Sequence, residues 1–322
     1  MTLHRPESIT QLATLRGEPL AGGTDLYERL HSGVSQGAVV DLNGLPDFAV
    51  LSGSAAHGLS IGAGVQLSTL AADERVVSGY PGLAATAGTL ATPQIRNVAT
   101  VGGVLCQRTR CTWYRHPNLT CAKNGGEGCS ARNSDNDHGV LFDLGPCVHP
   151  HPSSVALAML IYDASFDTSL RTGVGIAELY GDGSDPVRDH QLNPGEILLR
   201  VHLPPRKHHP ELLGIGYSRL MGREAAEWPW VECLVQLTVE EDTVISARVA
   251  VGAVATIPLR LAGVEQALIG VRVGDLEGAT VAARLASDAA PIYRPNRHKL
   301  EMLHGTLLDA IEKAWSLSEA RG

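Results

Sequence analysis

Between Asn97 and Pro152 the chain carries five of its six cysteines, and four of these, Cys111, Cys121, Cys129 and Cys147, are spaced C-x9-C-x7-C-x17-C in its loop-rich part. The residues between them, Pro117-Asn118, Asn124-Gly125-Gly126, Asn133-Ser134-Asp135-Asn136 and Gly145-Pro146, are turn formers with no apolar helical or strand period. Such a segment has no hydrophobic face to hold it against a core, so something else must order it. Four thiolates meeting at one centre would do so, because metal or cluster binding supplies the missing free energy.

The spacing matches neither paired C-x2-C zinc knuckles nor a ferredoxin run, so from spacing alone an iron–sulfur cluster and zinc stand level. Disulfides come behind both. The start of the chain, Met1 to Glu7, shows neither an apolar signal core nor a twin-arginine pair. A cytoplasmic location is therefore expected, with export as a passenger on a partner subunit left open, and a reducing compartment disfavours disulfides. His149 and His151 follow Cys147 closely, but four cysteines already complete a ligand set, so hydrogen bonding or exposure is expected of them. Cys106 and Cys233 read as small buried hydrophobes.

A length of 322 residues with 44% hydrophobic content suggests about two domains with ordinary cores. The net charge of −8 provides no basic surface for nucleic acid, and no apolar run approaches the roughly 20 residues that span a bilayer. Proteins and small molecules are the expected partners.

In chain order, Pro6–Leu15 reads as a short helix. Ala21-Gly22-Gly23-Thr24-Asp25-Leu26 then reads as a strand end, a glycine turn and a helix to His31, with Thr24 or Asp25 as its N-cap. Strands follow at Ala38–Leu42 and Leu59–Gly64, then a helix from near Ser68 and one ending near Pro93. A second glycine turn, Thr100-Val101-Gly102-Gly103, lies almost 80 residues after the first. Turns of this kind bare backbone N–H groups, and two of them suit the two halves of one diphosphate. Gly62-Ala63-Gly64, Gly173-Val174-Gly175 and Gly214-Ile215-Gly216 all lack the third glycine of a nicotinamide fingerprint.

Ser154–Leu160 reads as a helix, and Pro204–Pro210 as the linker between domains. Beyond it, Gly216–Leu220, Cys233–Glu240 and Val244–Val251 read as antiparallel strands. Leu259–Ile269, Ala279–Ala289 and Leu300–Trp315 read as helices.

Taken in order, Ala21 to Leu26, Ile61-Gly62-Ala63-Gly64-Val65, Gln94-Ile95-Arg96-Asn97-Val98-Ala99-Thr100-Val101-Gly102-Gly103 and Val251-Gly252-Ala253-Val254-Ala255 resemble the FAD-binding subunits of molybdenum hydroxylases. That is the xanthine dehydrogenase and carbon monoxide dehydrogenase flavoprotein family. The resemblance runs from about residue 5 to residue 315. Gln107 to Cys111 with Cys121, Cys129 and Cys147 is similar to an insertion in the flavin subunits of bacterial aldehyde oxidoreductases and 4-hydroxybenzoyl-CoA reductase, where it holds a [4Fe-4S] cluster.

The resemblance implies an α+β chain. A two-part α/β FAD-binding domain of the vanillyl-alcohol-oxidase type spans 1–206, with subdomains of about 1–56 and 57–206 and the cysteine insertion at 106–150. A smaller α+β domain with an antiparallel sheet and helices spans 211–322. It implies FAD plus one [4Fe-4S] cluster, with metal ligands Cys111, Cys121, Cys129 and Cys147. The implied cofactor contacts are Ala21, Gly22, Gly23, Thr24, Asp25, Leu26, Asn97, Thr100, Gly102, Gly103, Ser154, Trp228 and Lys299, with no catalytic acid or base. Trp230, beside Trp228, is expected to pack in a core or interface. Asn296 and Lys299 match the family's Asn-x-x-Lys, although the residues alone equally allow a solvated helix start.

Two departures stand out. Val104 follows Gly102-Gly103 where the family has asparagine, and Ser153-Ser154 stand where it has an acidic residue near the ribityl chain; a serine hydroxyl bonds such a chain more weakly than a carboxylate does.

The usual two [2Fe-2S] clusters of such a hydroxylase take eight cysteines, and only two remain here after the four. Those centres and the molybdopterin therefore belong to partners, a molybdopterin-binding large subunit and a [2Fe-2S] small subunit. FAD on this chain would pass their electrons to an external acceptor. The competing readings are a self-sufficient flavin oxidoreductase with structural zinc and a zinc-bound scaffold without redox activity.

Overall fold

The computed structural model describes residues 2–206 and 212–319. The first unit is built on β1 (Leu3–His4), α1 (Ile9–Leu12), β2 (Glu18–Leu20), α2 (Leu26–His31) and β3 (Val39–Asp41). Its three strands are parallel in the order β1-β3-β2, so β2, α2 and β3 form the expected βαβ unit. The first helix is a single turn, shorter than the Pro6–Leu15 expectation. Only Leu12 of α1 is buried, so packing rewards no further turn.

The second unit contains β4 (Leu51–Ser54), β5 (Gly58–Gly62), α3 (Leu67–Ala72), α4 (Glu74–Gly79), α5 (Pro81–Gly88), α6 (Pro93–Arg96), α7 (Val101–Leu105), α8 (Thr112–Arg115), α9 (Ser154–Ile161), β6 (Ser165–Thr168), β7 (Val174–Gly175) and β8 (Leu198–Leu203). Its five strands run antiparallel in the order β4-β5-β8-β6-β7. Pro93 begins a helix here instead of ending one. Proline lacks the N–H that a first helical position leaves unused, and Thr92 caps the turn by accepting the Ile95 N–H. Every residue of α9 is buried, as its unbroken run of small and apolar residues from Val155 to Ile161 requires. That helix packs on α5, α7, β10 (Val231–Glu240) and β11 (Thr243–Gly252), so one core runs from Leu12 to Ala250.

In the third unit β10 and β11 join β9 (Leu212–Leu220) and β12 (Leu259–Arg260) in the antiparallel order β12-β11-β10-β9. The helices are α10 (Ala262–Leu268), α11 (Leu276–Arg284) and α12 (Lys299–Glu319). Leu259 and Arg260 pair with β11 instead of opening the helix expected at 259–269, and the expected 279–289 helix starts three residues earlier, where Asp275 caps it. Gly214 and Gly216 let α12 lie directly on the sheet: an added Cβ would meet the Ala314 and Ala310 carbonyl oxygens at 2.0 and 1.8 Å. The expected linker at 204–210 falls largely outside the described residues. Among the described residues no helix is long and apolar enough to cross a membrane.

Candidate functional site

The two glycine turns meet. An added Cβ on Gly22 would stand 1.9 Å from the Val98 carbonyl oxygen, so the first turn lies against the residues that lead into the second. Gly102 is as tightly placed: its N–H donates to the Ala63 carbonyl at 2.8 Å, and a Cβ there would reach the Ala63 Cβ at 2.8 Å. Ala63 belongs to the Ile61–Val65 motif. Three stretches far apart in sequence thus line one narrow cleft of about 130 Å³, with Ala21, Gly22, Gly23, Thr24, Asp25, Leu26, Thr100, Gly102 and Gly103 around it.

In the first turn the N–H groups of Gly22, Gly23, Thr24 and Asp25 find no acceptor among the described residues. Gly23 sits at φ +72°, and the Thr100 hydroxyl accepts the Gly103 N–H at 3.2 Å. Asp25 precedes α2 but makes no capping bond. Its carboxylate is taken by arginines instead: Arg115 at 2.5 Å, Arg29 at 3.1 Å and Arg110 at 3.6 Å.

Arg110 also lines a second and larger cavity, of about 500 Å³, with Trp113, His138, His151, Trp228 and Glu232 among its walls. The Arg110 guanidinium stands 5.2 Å over the Trp228 ring, a cation–π contact. The Asp25–Arg110 pair thus joins the glycine-turn cleft to an aromatic-walled cavity. His138 and Trp230 stack at its edge with centroids 4.0 Å apart.

Asn97, Ser154 and Lys299, all expected as cofactor contacts, line neither cavity. Asn97 is exposed at the C-cap of α6. Ser154 is buried in the first turn of α9, its hydroxyl facing Tyr217, while Ser153 caps the helix. Lys299 and Asn296 are buried, at 0% and 2% exposure, which corrects the solvated-helix alternative. The Lys299 Nζ donates to the carbonyls of Gly139 and Ala253, and Ala253 lines the larger cavity. His190 lines the glycine-turn cleft with its Nδ1 unpartnered, and burial pushes its pKa down to about 4. Histidine spacing gave no sign of it. Cys106 also borders the cleft, so it is not simply a core residue, and burial raises its thiol pKa to about 12.

The four remaining candidate thiols lie in one part of the molecule. Cys111, Cys121 and Cys129 share a small core with Tyr114, Ala131, Val140, Val148 and Tyr293, and Cys147 lies within the electrostatic reach of Cys111 and Cys129. Cys121 and Cys129 face each other across an antiparallel bridge, closed by the Ala122 N–H to the Gly128 carbonyl at 3.0 Å. Burial raises the Cys111, Cys121 and Cys147 pKa values. Backbone N–H donors from Trp113 and Tyr114, from Lys123 and from His149 oppose that rise by favouring the thiolates. All six cysteines are free thiols, and among the described residues no three His, Cys, Asp or Glu side chains stand close enough to chelate one ion.

The insertion is tied down by charge. Besides Arg110 and Arg115 on Asp25, Lys123 and Arg108 pair with Asp189 at 3.0 and 2.6 Å, and Arg132 pairs with Asp143 at 2.7 Å.

The family description "FAD binding domain in molybdopterin dehydrogenase" matches residues 1–206, and "CO dehydrogenase flavoprotein C-terminal domain" matches 217–301. The chain belongs to this family of FAD-binding oxidoreductase subunits, and its first domain binds FAD. It is 34% identical over 250 residues, 75% of this chain and 76% of the relative, to the aldehyde oxidoreductase FAD-binding subunit PaoB of Escherichia coli (strain K12). It is 27% identical over 249 residues, 77% of this chain and 70% of the relative, to the xanthine dehydrogenase FAD-binding subunit of Escherichia coli O157:H7. Among solved structures, quinoline 2-oxidoreductase from Pseudomonas putida 86 superposes with TM-score 0.73 over 98% of this chain and 96% of that one, at 21% identity. The Cu,Mo-CO dehydrogenase superposes with TM-score 0.71 over 98% and 97%, at 20% identity, and shares the fold.

Proposed function

We propose that this chain is the FAD- and [4Fe-4S]-carrying electron-transfer subunit of a molybdenum-dependent hydroxylase or aldehyde oxidoreductase complex. Its partners on this reading are a molybdopterin-binding large subunit and a [2Fe-2S] small subunit. The single observation that carries the flavin assignment is the meeting of the two glycine turns, with four free N–H groups, beside an aromatic-walled cavity. Free N–H groups and two close glycines suit a diphosphate, because backbone donors approach its oxygens without a side chain between. Trp228 and Trp113 offer apolar faces to a flat ring system.

Bound FAD supplies a two-electron store between one-electron centres and an external acceptor. The chain's part is to bind, orient and shield it: Gly22 to Asp25 grip the diphosphate through their free N–H groups, Thr100 to Gly103 close the cleft against it, and the Asp25–Arg110 pair joins that grip to the ring cavity.

Cys111, Cys121, Cys129 and Cys147 are the proposed cluster ligands. Backbone N–H donors to Cys111, Cys121 and Cys147 support thiolates, against the burial and mutual proximity that raise these thiols' pKa values until a metal centre binds. The likeness of Gln107 to Cys111 with Cys121, Cys129 and Cys147 to the cluster-holding insertion of related flavin subunits favours the cluster over zinc.

Anaerobic purification with identification of co-purifying subunits, followed by flavin, iron and acid-labile sulfide analysis, tests the whole reading. One FAD, four irons and sulfide per chain are expected. One zinc without sulfide overturns the cluster, and absence of flavin overturns the function.

A further inference from the structure

Two residues in the wall of the larger cavity, Glu227 and His151, carry a buried polar atom without a bond among the described residues, and of the two His151 brings a ring N–H. His151 is 5% exposed and lines the cavity on the same wall as Pro152. Its ring is fixed from two sides. The Tyr180 ring meets it edge-on with centroids 4.7 Å apart, and its Nδ1 accepts the Ser153 N–H at 3.2 Å. A ring nitrogen that accepts a backbone N–H carries no proton, so in the neutral imidazole the proton resides on Nε2. Burial keeps the ring neutral by lowering its pKa to about 4, against the opposing pull of Asp189. Nε2 is therefore an N–H donor, and among the described residues it has no partner. A buried donor left unpaired costs the folded state its desolvation without return. A chain retains such a cost where a bound molecule is to supply the acceptor.

We infer that the Nε2–H of His151 donates to an acceptor atom of the flavin ring and raises the ring's reduction potential. The inference rests on the FAD reading above. Trp113 and Trp228 in the cavity wall favour this as the place of the ring, and the Arg110–Asp25 pair of 3.6 Å connects it to the cleft that grips the diphosphate. His151 also lies within the field of His190, which borders that cleft. Reduction increases electron density on the ring's nitrogens and carbonyl oxygens, so a fixed donor stabilises the reduced form more than the oxidised one. Because His151 holds the ring and moves no proton, its effect is on potential and not on bond making.

The test compares wild type, His151→Asn and His151→Gln, each purified with its co-purifying subunits. Asparagine places its Oδ1 where Nδ1 was, so it keeps the Ser153 bond and loses the distal donor. Glutamine extends an amide N–H to the distal position. Flavin content per chain and the flavin midpoint potential, from spectroelectrochemical titration, are the readouts. His151→Asn is expected to retain flavin and to shift the reduced-to-oxidised equilibrium about tenfold toward oxidised, about 30 mV more negative for a two-electron couple. His151→Gln is expected to recover most of that shift. Full flavin with a potential equal to wild type in both variants overturns the inference and leaves the FAD reading standing, as would a water bonded to Nε2. Folded variants that both lose flavin also overturn it, by giving His151 a packing role. A flavin-free wild type instead overturns the reading beneath it.

Discussion

Lys299, at the start of α12, places its Nζ 2.8 Å from the Gly139 carbonyl and 2.7 Å from the Ala253 carbonyl. One fully buried side chain thus fastens the last helix to the cysteine insertion and to the wall of the aromatic cavity. Asn296 assists, its Nδ2 donating to the Asn136 and Val140 carbonyls at 3.0 and 3.1 Å. Replacing Lys299 by methionine keeps the volume and orphans two buried carbonyls. A loss of about 2–4 kcal/mol in denaturant unfolding is expected, and a change below 0.5 kcal/mol would show that water replaces the amine.

The same lysine gives a pH signature. Burial lowers its pKa to about 7, far below the range of a free lysine. Between those values the unfolded chain holds a proton that the folded chain has released, so stability rises with pH across that window, by up to about 1.4 kcal/mol per unit. A neutral amine still has two N–H donors for its two carbonyls. Wild type minus Lys299→Met, followed by thermal or chemical unfolding from pH 7 to 9.5, isolates the contribution. A difference that is flat or falls with pH contradicts the burial of an unpaired amine.

Asp25 is the second fastening. Its carboxylate meets Arg29 and Arg115, whose side chains are 7% and 9% exposed, and stands 3.6 Å from Arg110. Asp25→Asn removes the carboxylate these arginines share but leaves Arg29 on Glu18 at 3.0 Å and Arg110 and Arg115 on Glu28 at 2.7 and 3.4 Å, so a loss of about 1–3 kcal/mol is expected. Arg110 and Arg115 lie in the insertion, so faster proteolytic cleavage between residues 107 and 150 is expected. Cleavage at the wild-type rate would show that the pairs to Glu28 and Asp189 hold the insertion without Asp25.

The glycine turns give a steric prediction with its own control. Gly22→Ala drives a Cβ into the Val98 carbonyl oxygen at 1.9 Å and must separate the two turns. Gly33 sits at φ +78° with no atom within 4 Å of an added Cβ, so Gly33→Ala pays only for its backbone conformation, about 1 kcal/mol. Gly22→Ala should lose flavin at a temperature where Gly33→Ala retains it; equal flavin content in both would mean that the turns do not have to touch.

The residues that locate the cleft were readable because their roles are local. Gly22, Gly23, Gly102 and Gly103 announce turns by themselves, and the four cysteines announce a segment that needs a centre. What connects these parts has no local period. Asp25 reads as an N-cap from its place before α2, and only the fold brings Arg115 to it. Asn296 and Lys299 look like any polar helix start until α12 lies on β9, and that packing depends on Gly214 and Gly216, which in sequence read only as an incomplete nicotinamide fingerprint. His151 and His190 were invisible for the same reason: burial is decided by elements far away in sequence. Helix ends missed by a few residues, such as Pro93, turned on a cap whose hydrogen bond the apolar pattern does not encode.

Removal of the cysteine centre should loosen the insertion without unfolding the chain. The proposed ligand thiols sit around a core of only Tyr114, Ala131, Val140, Val148 and Tyr293, too small to fix the segment alone, whereas the main cores of the other units do not include them. Charge pairs to Asp25 and Asp189 stay in place when the centre is lost. Cys129→Ser is therefore expected to lose iron and sulfide and to speed amide hydrogen exchange across residues 112–134, while exchange in α9 and β10 stays slow. Cys106→Ser is the matched control, because Cys106 borders the glycine-turn cleft and not the cysteine cluster. It should leave iron and sulfide unchanged. Loss of iron in Cys106→Ser, or its retention in Cys129→Ser, would assign the centre to a different set of thiols.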